Sequence, residues 1–268
     1  MKINRLFVIT LITALAFSTL MFATKAAGDT IVVTPTNQQG WSTADTRPGG
    51  MVNFVVDNTS PAPIGALQLT TDATTAAKAQ YLHAANTSLA DVTELSYYTK
   101  QVSAPFPGAD PSYQVIANLL GTSGFTTLVF EPYQNPGNNG NPTVINNVWQ
   151  QWDVDAGLFW STQTVTCSNG VIAGTPGGPA TYTLADIKAA CPGAVVIGFG
   201  VNIGTFNPLY NVETDLFNFN GTTYDFEPYR VATNKDDCKD GGYLNVKRAD
   251  GSSFKNQGQC IKYVNTGQ

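Results

Sequence analysis

Two glutamates, a run of aromatics and four cysteines are the residues here whose types are suited to chemistry. Glu131 and Glu213 are the carboxylates to weigh for glycosidase chemistry. Cleaving a glycosidic bond needs two carboxyl groups across a cleft, one to protonate the leaving oxygen and one to attack or activate water. Each lies on or beside an expected strand, but no spacing ties them together, and a solvated strand-face carboxylate is the plainer reading. Trp149, Trp152, Phe159, Trp160, Tyr97, Tyr98 and Tyr210 recur around a central aromatic stretch. A sugar ring has an apolar C–H face and a polar rim, so exposed Trp or Tyr beside Asn, Gln and Asp suits it. On a strand Trp149 and Trp152 point to opposite faces, so one of them belongs to the core. Trp149, Trp152, Trp160, Tyr97 and Tyr210 are therefore the candidate ligand contacts.

His83 is the only imidazole, and it lacks a recognisable nucleophile or second ligand to work with. No Gly-x-Ser-x-Gly elbow accompanies the serines. Asp57, Asp72, Asp153, Asp155 and Asp215 offer oxygens to calcium, the hard cation common outside cells, although no EF-hand loop joins them. The expectation is of no cofactor, with a structural calcium as the one ion to consider.

Cys167, Cys191, Cys238 and Cys260 form no C-x-x-C pair, which argues against zinc. In an oxidising compartment an even count means disulfides, and sequential pairing closes two modest loops, each worth about 3 kcal/mol by loop entropy. That compartment is indicated by the first residues. Lys2 and Arg5 precede an uncharged apolar run, Leu6 to Ala23, and small residues follow at Ala23, Thr24, Ala26 and Ala27. This is the layout of a signal peptide cleaved after Ala26, with an uncleaved anchor as the rival reading. The expected product is secreted and not stably inserted in a membrane. Losing Lys2, Arg5 and Lys25 takes the formal charge from −5 to −8. Such a surface repels polyphosphate, which excludes nucleic acid as a natural partner and leaves a glycan or surface polymer easier to accommodate.

The elements that must hold these residues are short strands. Ile31–Thr34, Met51–Val56, Gly65–Thr70, Lys78–Leu82, Thr93–Lys100, Tyr113–Leu120, Thr126–Glu131 and Val148–Val154 are apolar-rich and mostly bounded by turn formers. Period-two alternation in Gly65–Thr70 and around Leu128–Glu131 means half-buried strands. Asp155-Ala156-Gly157 reads as a hairpin turn joining Val148–Val154 to Leu158–Ser161. Thr183 caps a helix over residues 184–190, stopped by Pro192 and Gly193. Ala194–Val201 reads as a central strand, and Asn220-Gly221 joins Val212–Phe219 to Thr223–Phe226 as a hairpin. The pattern predicts an all-β, antiparallel jelly-roll-type β-sandwich with one short helix over residues 27–230, after a signal peptide over 1–26. Residues 231–268 then form a linker and a small disulfide-stapled module with six basic side chains against four aspartates.

Two resemblances add to this. Residues 235–243, Lys-Asp-Asp-Cys-Lys-Asp-Gly-Gly-Tyr, followed by Phe254-Lys255-Asn256-Gln257-Gly258-Gln259-Cys260, resemble a two-cysteine tail of many secreted bacterial proteins. In that tail an aromatic, often Trp, occupies the place of Tyr243; the resemblance implies an extracellular bacterial context and no particular activity. The larger region resembles lectin-like β-sandwiches, carbohydrate-binding modules among them. That resemblance rests on Gly65–Thr70, Leu95-Ser96-Tyr97-Tyr98, Trp149-Gln150-Gln151-Trp152 and Asp215–Gly221. The first expectation is a secreted, non-catalytic protein that binds a glycan or cell-surface polymer. A glycoside hydrolase or lyase on the same sandwich, and a structural envelope or matrix protein, are the alternatives.

Overall fold

The computed structural model describes residues 28–62 and 64–268, so the expected signal peptide lies outside the described residues. No helix among them is long and apolar enough to cross a membrane. Two seven-stranded sheets face each other. In the first, β15 (Asn211–Phe219) is the axis, with β6 (Leu95–Ser103) and then β9 (Gln150–Asp153) along one side. Along its other side β4 (Gly65–Thr71) and β3 (Gly50–Val56) pair with its first half, and β16 (Thr222–Phe226) and β1 (Thr30–Val33) follow its second half. The second sheet runs β13 (Tyr182–Thr183), β10 (Leu158–Ser161), β8 (Phe125–Phe130), β7 (Ser112–Asn118), β14 (Val195–Ile203), β5 (Ala79–Ser88) and β2 (Trp41–Ser42). Apart from these, β11 (Val165–Thr166) and β12 (Val171–Ile172) form a small two-stranded ribbon. All named strand pairs are antiparallel except β1 with β16. The jelly-roll-type sandwich expected from the alternation is the fold.

The alternation works as a sorting rule. Tyr113, Val115 and Ala117 of β7 and Leu128 and Phe130 of β8 point inward and are buried. They meet Phe217 of β15, which stacks on Tyr113 at 4.2 Å, and Tyr97, set edge-on to Tyr113 at 5.4 Å. Asn220 and Gly221 both take the left-handed backbone a two-residue hairpin requires, and β15 and β16 pair around them as expected. Helix α1 (Leu184–Ala190) carries a full capping box between Thr183 and Asp186, and its C-cap residue Cys191 is bonded to Cys167. β5 runs past its expected end to Ser88, through a bulge in its pairing with β14.

One expected pairing is wrong. Asp155-Ala156-Gly157 does not turn a hairpin: β9 pairs with β6 in the first sheet, and β10 pairs with β8 and β13 in the second. The same three residues make an arch between sheets. Asp155 Oδ1 accepts from the Leu95 amide at 2.7 Å, which ties the arch to β6. Gly157 lies so close to the Phe130 ring that an added Cβ would fall 2.3 Å from Cε2. Asn135 then bridges to Leu158, accepting from its amide at 2.7 Å and donating to the Glu131 and Leu158 carbonyls. Those contacts deliver β10 to β8 instead of β9.

The last residues bury a small core of their own, Ala232, Cys238, Val246, Phe254 and Cys260, under helix α2 (Gln257–Thr266). The second disulfide joins Cys238 to Cys260. The tail motif is built for this packing. Asp237 accepts from the amides of Thr233 and Asn234 and from Arg230. Gly241 takes a left-handed φ, a Cβ on Gly242 would fall 2.4 Å from the Asp237 carbonyl oxygen, and Asn256 caps α2. The guanidinium of Arg248 lies 4.4 Å from the Phe254 ring centre.

Candidate functional site

The residues that point outward from the second sheet form a row across its strands. Trp160 of β10 sits opposite Val129 of β8, Val129 opposite Gln114 of β7, and Gln114 opposite Gly200 of β14. Two residues further along the same faces come Ser112 and Asn202, and just past the end of β8 comes Glu131. Gly200 has no room for a side chain, because a Cβ would fall 2.1 Å from the Tyr81 carbonyl oxygen. The sheet floor is therefore shallow at β14 and walled at β10. A cleft of about 470 Å³ opens over it, lined also by Tyr133 and Tyr210.

Polar groups in this cleft are held but not used up. Glu131 Oε2 accepts from Trp160 Nε1 at 3.0 Å and from Gln134 Nε2 at 2.5 Å, which fixes the indole against the β8 end. Asn202 Nδ2 donates to Gln80 Oε1 at 2.9 Å, and Ser112 Oγ donates to the Asn202 carbonyl at 3.1 Å. Asp110 is the buried member. Its Oδ2 accepts from Thr99 and its Oδ1 has no partner, and burial pushes the carboxyl up to about 8 despite the Thr99 hydroxyl. Burial first, then the Glu131 charge, raises the Tyr133 phenol. Two acids, Asp110 and Glu131, line the cleft, and no cation does.

The two candidate glutamates do not face each other. Glu213 projects from β15 on the outer face of the first sheet, where Lys100 Nζ lies 2.6 Å from its Oε2. Lys100 also pairs with Asp57 and sits 5.1 Å from the centre of the Trp149 ring, whose Nε1 donates to Asp57 at 3.1 Å. Burial pushes Glu213 up, partly offset by Lys100. Burial also works against the Asp57 carboxylate, but Lys100 and the Thr59 donors outweigh it and hold Asp57 below its usual range. On that same face a second acidic group is held by the amides of Ala62 and Ile64. Asp215 accepts from the Phe226 and Ala62 amides, and Glu227 accepts from Ile64 at 2.7 Å.

Of the expected ligand contacts, Trp160 and Tyr210 border the cleft, whereas Trp149 is engaged with Lys100 on the other sheet. Tyr97 and Trp152 are fully buried, donating to the Pro111 carbonyl and to Thr99, and reach no surface. The His83 ring nitrogens face the carbonyls of Ala84 and Gln39, and the ring stacks on Phe199 at 4.9 Å. Among the described residues no three His, Cys, Asp or Glu side chains converge as a metal-ligand set. Asp72 serves its own turn through Thr74, Asp57 serves Lys100, and Asp153 neighbours Asp155. Reading the sequence missed Gln114, Asn202, Ser112, Asp110 and Tyr133. Gln114 between Tyr113 and Val115, and Asn202 between Val201 and Ile203, carried the available signal: a polar residue on the outer face of an otherwise apolar strand.

No protein-family model and no curated protein matches the sequence. Solved structures similar to it include the family 11 carbohydrate-binding module of cellulosomal cellulase Lic26A-Cel5E of Clostridium thermocellum. That likeness has 12% identity, covers 70% of this chain and 89% of that one, and has a TM-score of 0.39. The family 11 carbohydrate-binding module from Clostridium thermocellum in complex with a β-1,3-1,4-mixed-linked tetrasaccharide is 13% identical over 74% of this chain and 98% of that one, with a TM-score of 0.41. The CBM22-1 xylan-binding domain from Paenibacillus barcinonensis Xyn10C is 15% identical over 70% and 87%, with a TM-score of 0.35. Likeness of this degree carries no argument about what this chain binds.

Proposed function

We propose that the protein is a secreted, non-catalytic glycan-binding protein, and that the cleft over the second sheet holds a neutral polysaccharide chain. The observation that supports this most is the composition of one surface: Trp160 fixed by Glu131, with Gln114 and Asn202 beside it and Tyr133 and Tyr210 at the border. An indole offers a stacking face, and side-chain amides match hydroxyl groups as both donors and acceptors. With carboxyls and no cation in its lining, the cleft offers nothing to neutralise uronates and sulfated or phosphorylated chains.

Catalysis is the second reading, because Asp110 and Glu131 line the same cleft and burial keeps a proton on Asp110 near neutral pH. Against it, Glu131 is already bonded to Trp160 and Gln134, and Asp110 to Thr99. The test is affinity electrophoresis of residues 27–268 in hydroxyethylcellulose, xylan and laminarin, with reducing-sugar release followed in parallel. Retardation without sugar release is the expected result. Sugar release abolished by Asp110→Asn makes the protein an enzyme, and no retardation in any polymer overturns the glycan reading.

A further inference from the structure

We infer that Phe206 is a second stacking platform of this cleft, so that a bound polysaccharide chain lies across the strands between Trp160 and Phe206. The inference rests on the glycan reading above and adds a residue and a direction to it. Phe206 lies in the connection between β14 and β15 and lines the same cleft as Trp160. It is 80% exposed, more than any other large apolar side chain among the described residues. Its φ is +65°, and that of Leu209 is +62°, a left-handed conformation that bulky side chains avoid.

The surrounding structure enforces that conformation. The Phe206 amide donates to the Thr75 carbonyl at 2.7 Å and the Leu209 amide to the Asp72 carbonyl at 2.8 Å. Thr71 Oγ1 donates to the Asn207 carbonyl at 2.5 Å and accepts from the Tyr210 amide at 3.0 Å. Asn207 Nδ2 closes the connection on the Gly204 and Thr205 carbonyls. An aromatic ring held against its backbone preference and turned out to water is not serving a core. Strained residues over-determined by their neighbours cluster at ligand sites, where the strain keeps a group in place.

Position supplies the direction. Strands β8 and β7 separate β10, which carries Trp160, from β14, which leads into Phe206. Three strand spacings put the two platforms about 14 Å apart across the sheet. Gln114 lies between them, and Asn202 lies on the Phe206 side. A short oligosaccharide reaches one platform; only a longer chain reaches both.

The test separates the ring from the backbone strain. Phe206→Asn removes the ring with a residue that tolerates the left-handed conformation, and Phe206→Trp keeps a ring there. Affinities for hydroxyethylcellulose, xylan and laminarin, and for their short oligosaccharides, are measured alongside Trp160→Ala, with thermal midpoints as the check on folding. For a polymer that binds, Phe206→Asn is expected to weaken binding about tenfold and to leave its disaccharide unaffected, while Phe206→Trp binds normally. If Trp160→Ala loses binding and Phe206→Asn binds every polymer as the parent does, the inference falls and the glycan reading stands. If the parent binds none of the three polymers, both fall.

Discussion

The outer faces of the two sheets hold the same kinds of residue and do opposite things with them. On each face an indole donates to a carboxylate: Trp160 to Glu131 on the second sheet, Trp149 to Asp57 on the first. On the first sheet Lys100 lies between Asp57 and Glu213 and under the Trp149 ring, so the charges of that cluster meet one another. On the second sheet no cation lines the cleft, and neutral amides and tyrosines line it with Trp160. What separates the open face from the closed one is therefore whether the fold supplies the counter-charge. A tryptophan beside a glutamate does not by itself distinguish the two.

That contrast can be broken most forcefully at Lys100. Lys100→Met leaves two largely buried carboxylates unpaired and is expected to cost about 3 kcal/mol in urea unfolding, with glycan affinity unchanged in the folded protein. A loss of affinity equal to that of Trp160→Ala would show that the faces are not independent.

The acidic group on the first sheet should make stability fall as pH rises. Burial pushes Asp215 up to about 8, Glu227 to about 7 and Asp225 to about 6. A carboxyl that holds its proton more tightly when folded gives stability that is complete below the usual carboxylate range and lost as pH climbs through the folded value. The thermal midpoint is expected to drop between about pH 4 and pH 8, and Asp225→Asn to reduce that drop. A midpoint that rises over this window would contradict the burial described for this face.

Two smaller effects sharpen the comparison from the cleft side. Trp160→Ala should weaken binding about tenfold, or 1–2 kcal/mol, whereas Trp149→Ala should leave affinity unaltered, both by calorimetric titration. Glu131→Gln keeps an oxygen to accept from Trp160 and should change affinity for a neutral chain by no more than about threefold. A larger loss would assign the Glu131 charge itself a role in binding.

Strands were readable because one inward face and one outward face leave a period of two, as in Gly65–Thr71 and Phe125–Phe130. The hairpin at Asn220-Gly221 was readable because its backbone demands those residues. Asp155-Ala156-Gly157 was not, since the same composition serves a hairpin or an arch, and contacts distant in sequence, with Leu95 and Phe130, decide between them. The cleft was half readable. Residue type singled out Trp160, Tyr210 and Glu131, but bringing them together depended on knowing which strands share a sheet. Phe206 left no sequence signal, because its exposure follows from a backbone conformation that Phe does not favour.

The one parallel pair of strands among the described residues, β1 with β16, sets an order on how the molecule is made. Thr30 finds its partner only at Thr223, so that edge of the first sheet cannot close until nearly the whole sandwich chain is present. Each disulfide, by contrast, spans only 24 or 22 residues and closes within a local segment. Pairings so distant in sequence make for slow folding, so the first strand should dock after the local pairings have formed. Refolding of the chain with both bridges intact should then end on a slow phase set by the return of that first strand.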